Sequence, residues 1–289
     1  MSLFAIVLLA LVQGTTELLP VSSSAHVILA EKLLGLNPSS PEMTFLLVML
    51  HTGTMFAVLV YFWSRWKRLF SKENPGRWSF VRMVIYSTAA TGITGLGLKY
   101  FIEKYLLQQS AGGSVEEIFG NTLIIGSALG AVGILIIVSG ILSRNSEGET
   151  IDKGNCNSYS VRDSIVIGIV QGFALPFRGF SRSGSTISAS IMLGMSRTFS
   201  EEYSFILALI LTPPVIMREF LRLKHFSEAG RGLPYLAGIL GMILSFFAGI
   251  AAIKWLSSWL EKGRWAIFGF YCLALAALIL TLTAMNFLK

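Results

Sequence analysis

The segment from Gln13 to His26, QGTTELLPVSSSAH, decides the fold because it interrupts an apolar stretch near its middle. Pro20 ends one helix, and the three serines after it can cap the next. The helices predicted on either side, Ser2–Leu18 and Val21–Leu34, are too short to cross a membrane, which takes about 20 residues. Irregular backbone at membrane depth persists only where protein or a watery cavity satisfies its polar groups. The segment therefore predicts a re-entrant helical hairpin.

A second pair of short segments repeats this pattern, at Asp163–Leu175 and Ser183–Met195. The sequence LVQG at Leu11–Gly14 recurs as IVQG at Ile169–Gly172, at an offset of 158 residues. Three apolar spans follow each hairpin, and an odd number of crossings inverts the second copy relative to the first. The sequence thus predicts two inverted-topology repeats.

The composition places the chain in a membrane. Of its 289 residues, 53% are hydrophobic and only 13% are charged, and the mean hydropathy is +0.67. Soluble domains are about 25% charged, so an ordinary soluble enzyme is excluded. Windows of about 20 apolar residues predict six spanning helices. These are Thr44–Trp63, Phe80–Lys99, Phe119–Leu142, Glu202–Leu221, Leu233–Ile253 and Trp265–Met285.

We therefore predict an all-α membrane protein with six transmembrane helices plus two re-entrant hairpins. The first repeat comprises residues 1–142 and the second residues 163–289, with a polar linker at 143–162, and together they form one membrane domain.

The basic excess, 23 Lys and Arg against 16 Asp and Glu, predicts orientation rather than nucleic-acid binding, because no nucleic-acid motif accompanies it. If residues 64–82, 143–162 and 254–264 are cytoplasmic, that side carries 12 Lys and Arg, the outside carries 8, and the second hairpin carries the remaining 3. Both termini then face outward, and the two hairpin tips meet near the midplane.

The first hairpin carries an acid, three hydroxyls and a histidine, at Glu17, Ser22, Ser23, Ser24 and His26. Ionisable groups inside a membrane are costly, so each is a candidate functional residue. We expect Glu17 and His26 to face each other across the tip. The alternative is a serine-capped helix with a buried Glu–His pair that has only a structural role.

The second hairpin resembles a phosphate cradle. Ser181, Ser183, Gly184 and Thr186 surround Arg182 where a helix begins. A helix N-terminus favours an anion, and an arginine can bind phosphate through two hydrogen bonds. The alternative is an interfacial anchor with serine caps, which suits the nearby Arg178 better than Arg182.

Two long motifs resemble the undecaprenyl-pyrophosphate phosphatase family of integral membrane enzymes. They are ELLPVSSSAH at Glu17–His26 and GFSRSGST at Gly179–Thr186, and the similarity extends to Leu50–Thr54 and Glu202–Phe205. The resemblance implies the same fold of six spans and two hairpins. It also implies a multi-pass protein of the bacterial inner (plasma) membrane. The implied activity is removal of the terminal phosphate from a C55 polyprenyl pyrophosphate, which recycles the lipid carrier for cell-wall synthesis.

By this resemblance, the catalytic residues are Glu17 as the essential acid, His26, Ser23 as nucleophile or phosphate ligand, and Arg182 as the phosphate-binding arginine. Substrate binding would fall to a surrounding polar set: Gln13, Ser22, Ser24, Ser181, Ser183, Gly184 and Thr186. We expect the site to open to the outer, periplasmic face.

The sequence departs from the family pattern at several of these positions. Gln13 replaces the first acid of the usual E-x-x-x-E pair, Arg178 replaces a proline, and Ala25 replaces a glycine. A divalent cation, Mg²⁺ or Ca²⁺, would then have Glu17 as its only acidic ligand from that pair. The acid usually found shortly before His51 is also missing. His51 is one of the ionisable candidates in the apolar segments, and a buried polar contact inside the bundle is favoured for it over direct catalysis.

Two mechanisms follow from these residues. Ser23 attacks phosphorus with His26 as base, or Glu17 positions a metal ion and a water for direct attack. A transporter of the lipid carrier or of another anion is the alternative function, because inverted repeats with broken helices are common in transporters. An acid phosphatase of another membrane superfamily would need a second catalytic histidine after Ser181, where the sequence offers only His225. The expected partners are the lipid substrate and the bilayer, and a homodimer is an open possibility.

Overall fold

A computed structural model describes residues 2–37, 40–106, 121–145, 160–228 and 234–285. These residues form helices joined by short turns, with no strand among them. The all-α prediction is confirmed. Five helices are long and apolar enough to cross a membrane: Pro41–Leu69, Thr122–Ser143, Arg197–Leu223, Tyr235–Glu261 and Trp265–Ala284.

The first half contains five helices. They are α1 (Leu3–Thr16), α2 (Ser23–Leu33), α3 (Pro41–Leu69), α4 (Arg77–Phe101) with a π-helical turn at Ile102–Leu106, and α5 (Thr122–Asn145). The second half contains α6 (Val161–Ala174), α7 (Arg182–Met192), α8 (Arg197–Glu228), α9 (Tyr235–Glu261) and α10 (Trp265–Ala284). Adding 158 to the bounds of α1 gives the bounds of α6, so the offset seen in the sequence recurs in the helix limits.

Five of the six predicted spans fall on apolar helices of spanning length. The remaining one, Phe80–Lys99, falls on α4. This helix is not among the five, although its 25 residues are long enough to cross a bilayer. Its composition explains the difference, because Arg82 and Lys99 lie inside it and hydroxyl residues such as Ser87 and Thr91 are buried in its core-facing side. The predicted linker at 143–162 lies mostly outside the described residues.

Serine side chains set where several helices begin. The hydroxyl oxygen of Ser2 accepts a hydrogen bond from the amide of Ala5, and that of Ser40 accepts one from Met43, just before Pro41 starts α3. Ser160 and Asp163 form a reciprocal capping box at α6. These caps fix where α1, α3 and α6 begin.

The hairpin of each half packs on a helix of the other half. Helix α1 lies against α9, where Gly14 meets Ser245 and Ala248. Helix α6 lies against α4, where Gly172 meets Thr91. Helices α3 and α8 also contact each other, as do α5 and α10. This crossed packing brings both hairpin tips to the centre of the molecule.

We expect Gly172→Ala to destabilise the protein, because a Cβ there would lie 2.7 Å from the Cβ of Thr94 and 2.8 Å from the carbonyl oxygen of Thr91. Overpacking of this kind costs about 1–3 kcal/mol. Thermal unfolding in detergent should show a lower midpoint. Gly97→Ala is the matched control on α4, since nothing lies within 4 Å of its new Cβ. Equal midpoints for the two variants would contradict the close approach of α4 and α6.

Candidate active site

Glu17 lies where the two hairpins meet. It follows the last turn of α1, and its amide donates to the carbonyl of Gln13. Its Oε1 accepts a hydrogen bond from the Arg182 guanidinium at 2.9 Å, and its Oε2 accepts one from the Ser23 hydroxyl at 2.5 Å. The Glu17 side chain is only 14% exposed, so both bonds are shielded from bulk solvent. Three predicted catalytic residues from both halves of the chain therefore meet at one carboxylate.

Gln13 extends this cluster to α3. One turn before Glu17, its side-chain amide lies 3.1 Å from Glu17 Oε2 and 2.9 Å from Nδ1 of His51. An amide nitrogen donates to both, so the Nδ1 of His51 accepts and the ring proton of the neutral imidazole lies on Nε2. The glutamine that replaces the expected acid thus bridges Glu17 and His51.

His51 is a site residue that the sequence interpretation favoured only as a structural contact. Its side chain is 41% exposed and its Nδ1 lies 3.7 Å from Glu17 Oε2, so the predicted polar contact is present but the ring is not buried. The motif at Leu50–Thr54 was the signal available in the sequence. What could not be read there was the direction of the ring, which depends on how α3 packs against α1.

A pocket of about 300 Å³, including the space at its mouth, opens beside this cluster. Glu17, His51 and Arg182 form its polar end. Its walls are largely apolar and come from the hairpin tip, α3 and α8: Leu18, Thr54, Met55, Val58, Phe205, Ala208, Leu209 and Thr212. A charged end with apolar walls suits an amphiphile that carries a compact anionic head.

The hydroxyls around Arg182 make hydrogen bonds within the protein. Ser181 caps α7 by accepting from the amide of Gly184, and Ser183 donates to the carbonyl of Leu19 in the first hairpin. Thr186 is fully buried and shares a hydrogen bond with Ser204 of α8. Arg182 is the member of this predicted cradle that lines the pocket.

The remaining serines hold the two tips against each other. The hydroxyls of Ser22 and Ser24 lie 3.2 Å apart, and Ser24 accepts a hydrogen bond from the amide of Gly179. Gly179 has φ +102°, and a Cβ there would collide with the backbone of Ile125, so this position requires glycine. The tips are therefore fixed relative to each other by backbone and hydroxyl contacts.

The expectation that His26 faces Glu17 is wrong. Its Nδ1 lies 2.8 Å from the carbonyl oxygen of Ser22, and its Nε2 lies 2.7 Å from the hydroxyl of Tyr271 on α10. The first turn of α2 directs the ring back towards Ser22, and Tyr271 of α10 contacts its other edge. Ser23, not His26, is the residue after the break that contacts Glu17.

Arg178 adds positive charge beside the site. It interacts electrostatically with Glu31 of α2 and with His51, which also experiences the charge of Arg182. Glu31 is 1% exposed, and its Oε1 has no hydrogen-bond partner. The cation that replaces the family's proline thus lies close enough to influence both a buried acid and a pocket residue.

The described residues do not fit a metal ion held by the protein alone. They contain no group of three His, Cys, Asp or Glu side chains that could surround one. The carboxylate oxygens of Glu17 already accept hydrogen bonds from Arg182, Ser23 and Gln13. A divalent cation beside Glu17 would also be repelled by the guanidinium of Arg182.

Comparisons with known proteins agree with this architecture. The family described as bacitracin resistance protein BacA matches residues 6–278. Undecaprenyl-diphosphatase 2 of Acinetobacter baylyi is 48% identical over 289 residues, which cover 98% of each chain. Undecaprenyl-diphosphatase of Halothermothrix orenii is 30% identical over 283 residues, again 98% of each chain. The chain therefore belongs to the BacA family.

Proposed function

We propose that this protein hydrolyses undecaprenyl pyrophosphate to the monophosphate and inorganic phosphate, as the names of its relatives indicate for them. The observation that carries the proposal is the cluster of Glu17, Ser23 and Arg182 at the polar end of an apolar pocket. The reaction returns the lipid carrier to cell-wall synthesis.

Substrate binding uses the two ends of the pocket differently. The terminal phosphate approaches Arg182. The guanidinium can move from the Glu17 carboxylate to the phosphate, because carboxylates and phosphates both accept hydrogen bonds from its N–H groups. The first isoprene units lie between α3 and α8, where Met55, Val58 and Phe205 form the wall. The site thus binds a charged head and an apolar chain together.

In the chemical step, Ser23 is the nucleophile and Glu17 its base. The Ser23 hydroxyl already donates to Glu17 at 2.5 Å, so the proton passes to this carboxylate as the oxygen attacks the terminal phosphorus. The bond from phosphorus to the bridging oxygen breaks, and the lipid monophosphate leaves. Glu17 returns this proton to the departing monophosphate and is ionised again. Water then attacks the phosphoserine and gives a proton to Glu17, the bond from phosphorus to the Ser23 oxygen breaks, and Glu17 passes the proton back to that oxygen as inorganic phosphate leaves. Arg182 stabilises the charge on the phosphoryl oxygens in both steps.

The alternative route, the predicted cation and the surrounding hydroxyls have other places in the proposal. In the alternative route, Glu17 activates a water directly and Ser23 only binds phosphate. The Mg²⁺ or Ca²⁺ site at Glu17 stays a prediction, and no step above passes through a cation. Ser24 and Ser183 join the two tips, whereas Ser181 caps α7 and Thr186 bonds to Ser204 of α8. Phosphate binding by this polar set, which includes Ser22, stays a prediction.

The fine architecture belongs to the same proposal. Helix α4 is the sixth transmembrane helix, the pairs α1–α2 and α6–α7 are re-entrant, and the halves are inverted repeats. Two observations support this arrangement. The bounds of α1 and α6 differ by 158 residues at both ends, and α1 packs on α9 while α6 packs on α4. The active site opens to the periplasmic face of the plasma membrane. A homodimer stays an open prediction.

We expect Glu17→Ala and Arg182→Ala to lower phosphate release from undecaprenyl pyrophosphate in detergent by about 10²–10⁴-fold, the range for a general base or an electrostatic stabiliser. Glu219→Gln is the control, because Glu219 pairs with the exposed Arg222 away from the pocket. Full activity in either site variant would refute the site. Translocation of lipid in liposomes without hydrolysis would favour the transporter alternative.

The two chemical routes differ in a covalent intermediate. If Ser23 is the nucleophile, brief reaction with substrate followed by acid quenching should leave a phosphoryl group on the peptide that contains Ser23, detectable by mass spectrometry. Ser23→Ala should abolish both this label and turnover. Substantial turnover by Ser23→Ala would instead establish direct attack by water.

The orientation of the protein in the plasma membrane is testable by labelling single cysteines. In a variant with Cys156 and Cys272 replaced by serine, we expect an impermeant maleimide to label Asn37→Cys in intact cells. Ser71→Cys, in the loop between α3 and α4, should react only after the cells are opened. The reverse pattern would show that the pocket faces the cytoplasm.

A further inference from the structure

The ring of His26 is engaged at both nitrogens. A carbonyl oxygen only accepts, so the contact of 2.8 Å with Ser22 places a proton on Nδ1. In the neutral ring, the lone pair of Nε2 then accepts from the Tyr271 hydroxyl at 2.7 Å. The two rings also stack, with centroids 5.7 Å apart and planes 5° from parallel. The basic nitrogen of His26 is therefore occupied by Tyr271 and does not contact Ser23.

The partner of Nδ1 is an unusual residue. Ser22 has φ 66°, and it is the one residue other than glycine with positive φ in the described part of the chain. This conformation is costly for a residue with a Cβ and persists only where its surroundings enforce it. The backbone amide of His26 also reaches the Ser22 carbonyl, but at 3.4 Å. Of these two hydrogen bonds to the Ser22 carbonyl, the one from the imidazole is the shorter.

Helix α10 supports the turn on both sides of Ser22. Tyr271 holds His26 on the α2 side, and the thiol of the next residue, Cys272, donates to the carbonyl of Pro20 on the α1 side at 3.4 Å. Cys272 is fully buried. Two consecutive residues of the second half thus fix a turn of the first half.

From these contacts we infer that His26 and Tyr271 are positioning residues for the proposed hydrolysis, on which this inference rests. His26 fixes Ser22 in its left-handed conformation, and Tyr271 fixes His26. The conformation of Ser22 determines where the next residue points, and that residue is Ser23. The proton of Ser23 passes to Glu17, and His26 takes no proton from it.

Two substitutions at residue 26 separate positioning from proton transfer. The side-chain amide of asparagine can occupy the place of Nδ1 and donate to Ser22, whereas that of glutamine reaches the place of Nε2. We expect His26→Asn to retain kcat/KM within about tenfold of the natural protein, the effect of one hydrogen bond. We expect His26→Gln to lose about 100-fold, the effect of misplacing a reacting group by about 1 Å. The acidic limb of the pH–rate profile should be unchanged in His26→Asn.

Tyr271→Phe removes one hydroxyl and leaves the bond to Ser22 in place. We expect kcat to fall by about 2- to 10-fold at constant KM. Tyr86→Phe is the control, since Tyr86 is a similarly exposed tyrosine on α4. An equal effect of the two substitutions would exclude a role for Tyr271.

A general base at residue 26 would give the opposite pattern. His26→Asn and His26→Gln would then both lose about 10²–10⁴-fold, and the acidic limb would disappear. That result would overturn the inference. If the natural protein releases no phosphate, the proposed function fails instead. The contact itself is still testable in that case by NMR of ¹⁵N-labelled histidine. The signal that His26→Asn removes should come from a ring protonated at Nδ1, and protonation at Nε2 alone would refute the contact.

Discussion

The ion pair between Glu17 and Arg182 is the contact on which the rest of the site depends. Glu17 and Arg182 come from different halves of the chain, and their side chains are only 14% and 27% exposed. An unpaired charge in such a shielded place is expensive, so each residue stabilises the other half of the chain. The same carboxylate gathers Ser23 and Gln13. A phosphate that takes Arg182 from Glu17 would leave this carboxylate as the proton acceptor beside Ser23. The interaction that stabilises the resting fold is therefore also the one that substrate binding would rearrange.

Much of the fold could be predicted from the sequence because the signals are strong and local. Pro20 and the serines after it mark the hairpin, and long apolar runs mark the spans. The meeting of Glu17, Ser23 and Arg182 could be predicted because charged groups are rare in the apolar segments and two broken helices carry them. Helix α4 was predicted as a span but is less apolar than the five spanning helices, because it contains polar residues such as the buried Ser87 and Thr91.

The direction of individual side chains could not be predicted. Tyr271 is 245 residues from His26, and nothing near His26 in the sequence indicates this partner. The place of His51 in the site could not be predicted for a similar reason, since its ring reaches the site through Gln13 on another helix. Hydroxyl residues were the least predictable. A serine at a helix start can cap the helix, bind phosphate or join two hairpins, and Ser183 joins them by donating to Leu19.

The crossed packing makes the stability of each half conditional on the other. Gly14 on α1 meets residues of α9, and Gly172 on α6 meets residues of α4. If one half were expressed alone, its short hairpin would lack the helix that covers it. One of its long helices would also expose the surface on which the hairpin of the other half packs. Two such fragments would be expected to fold together and not separately. Cooperative folding of the whole chain follows from this exchange, even though the two halves repeat the same plan.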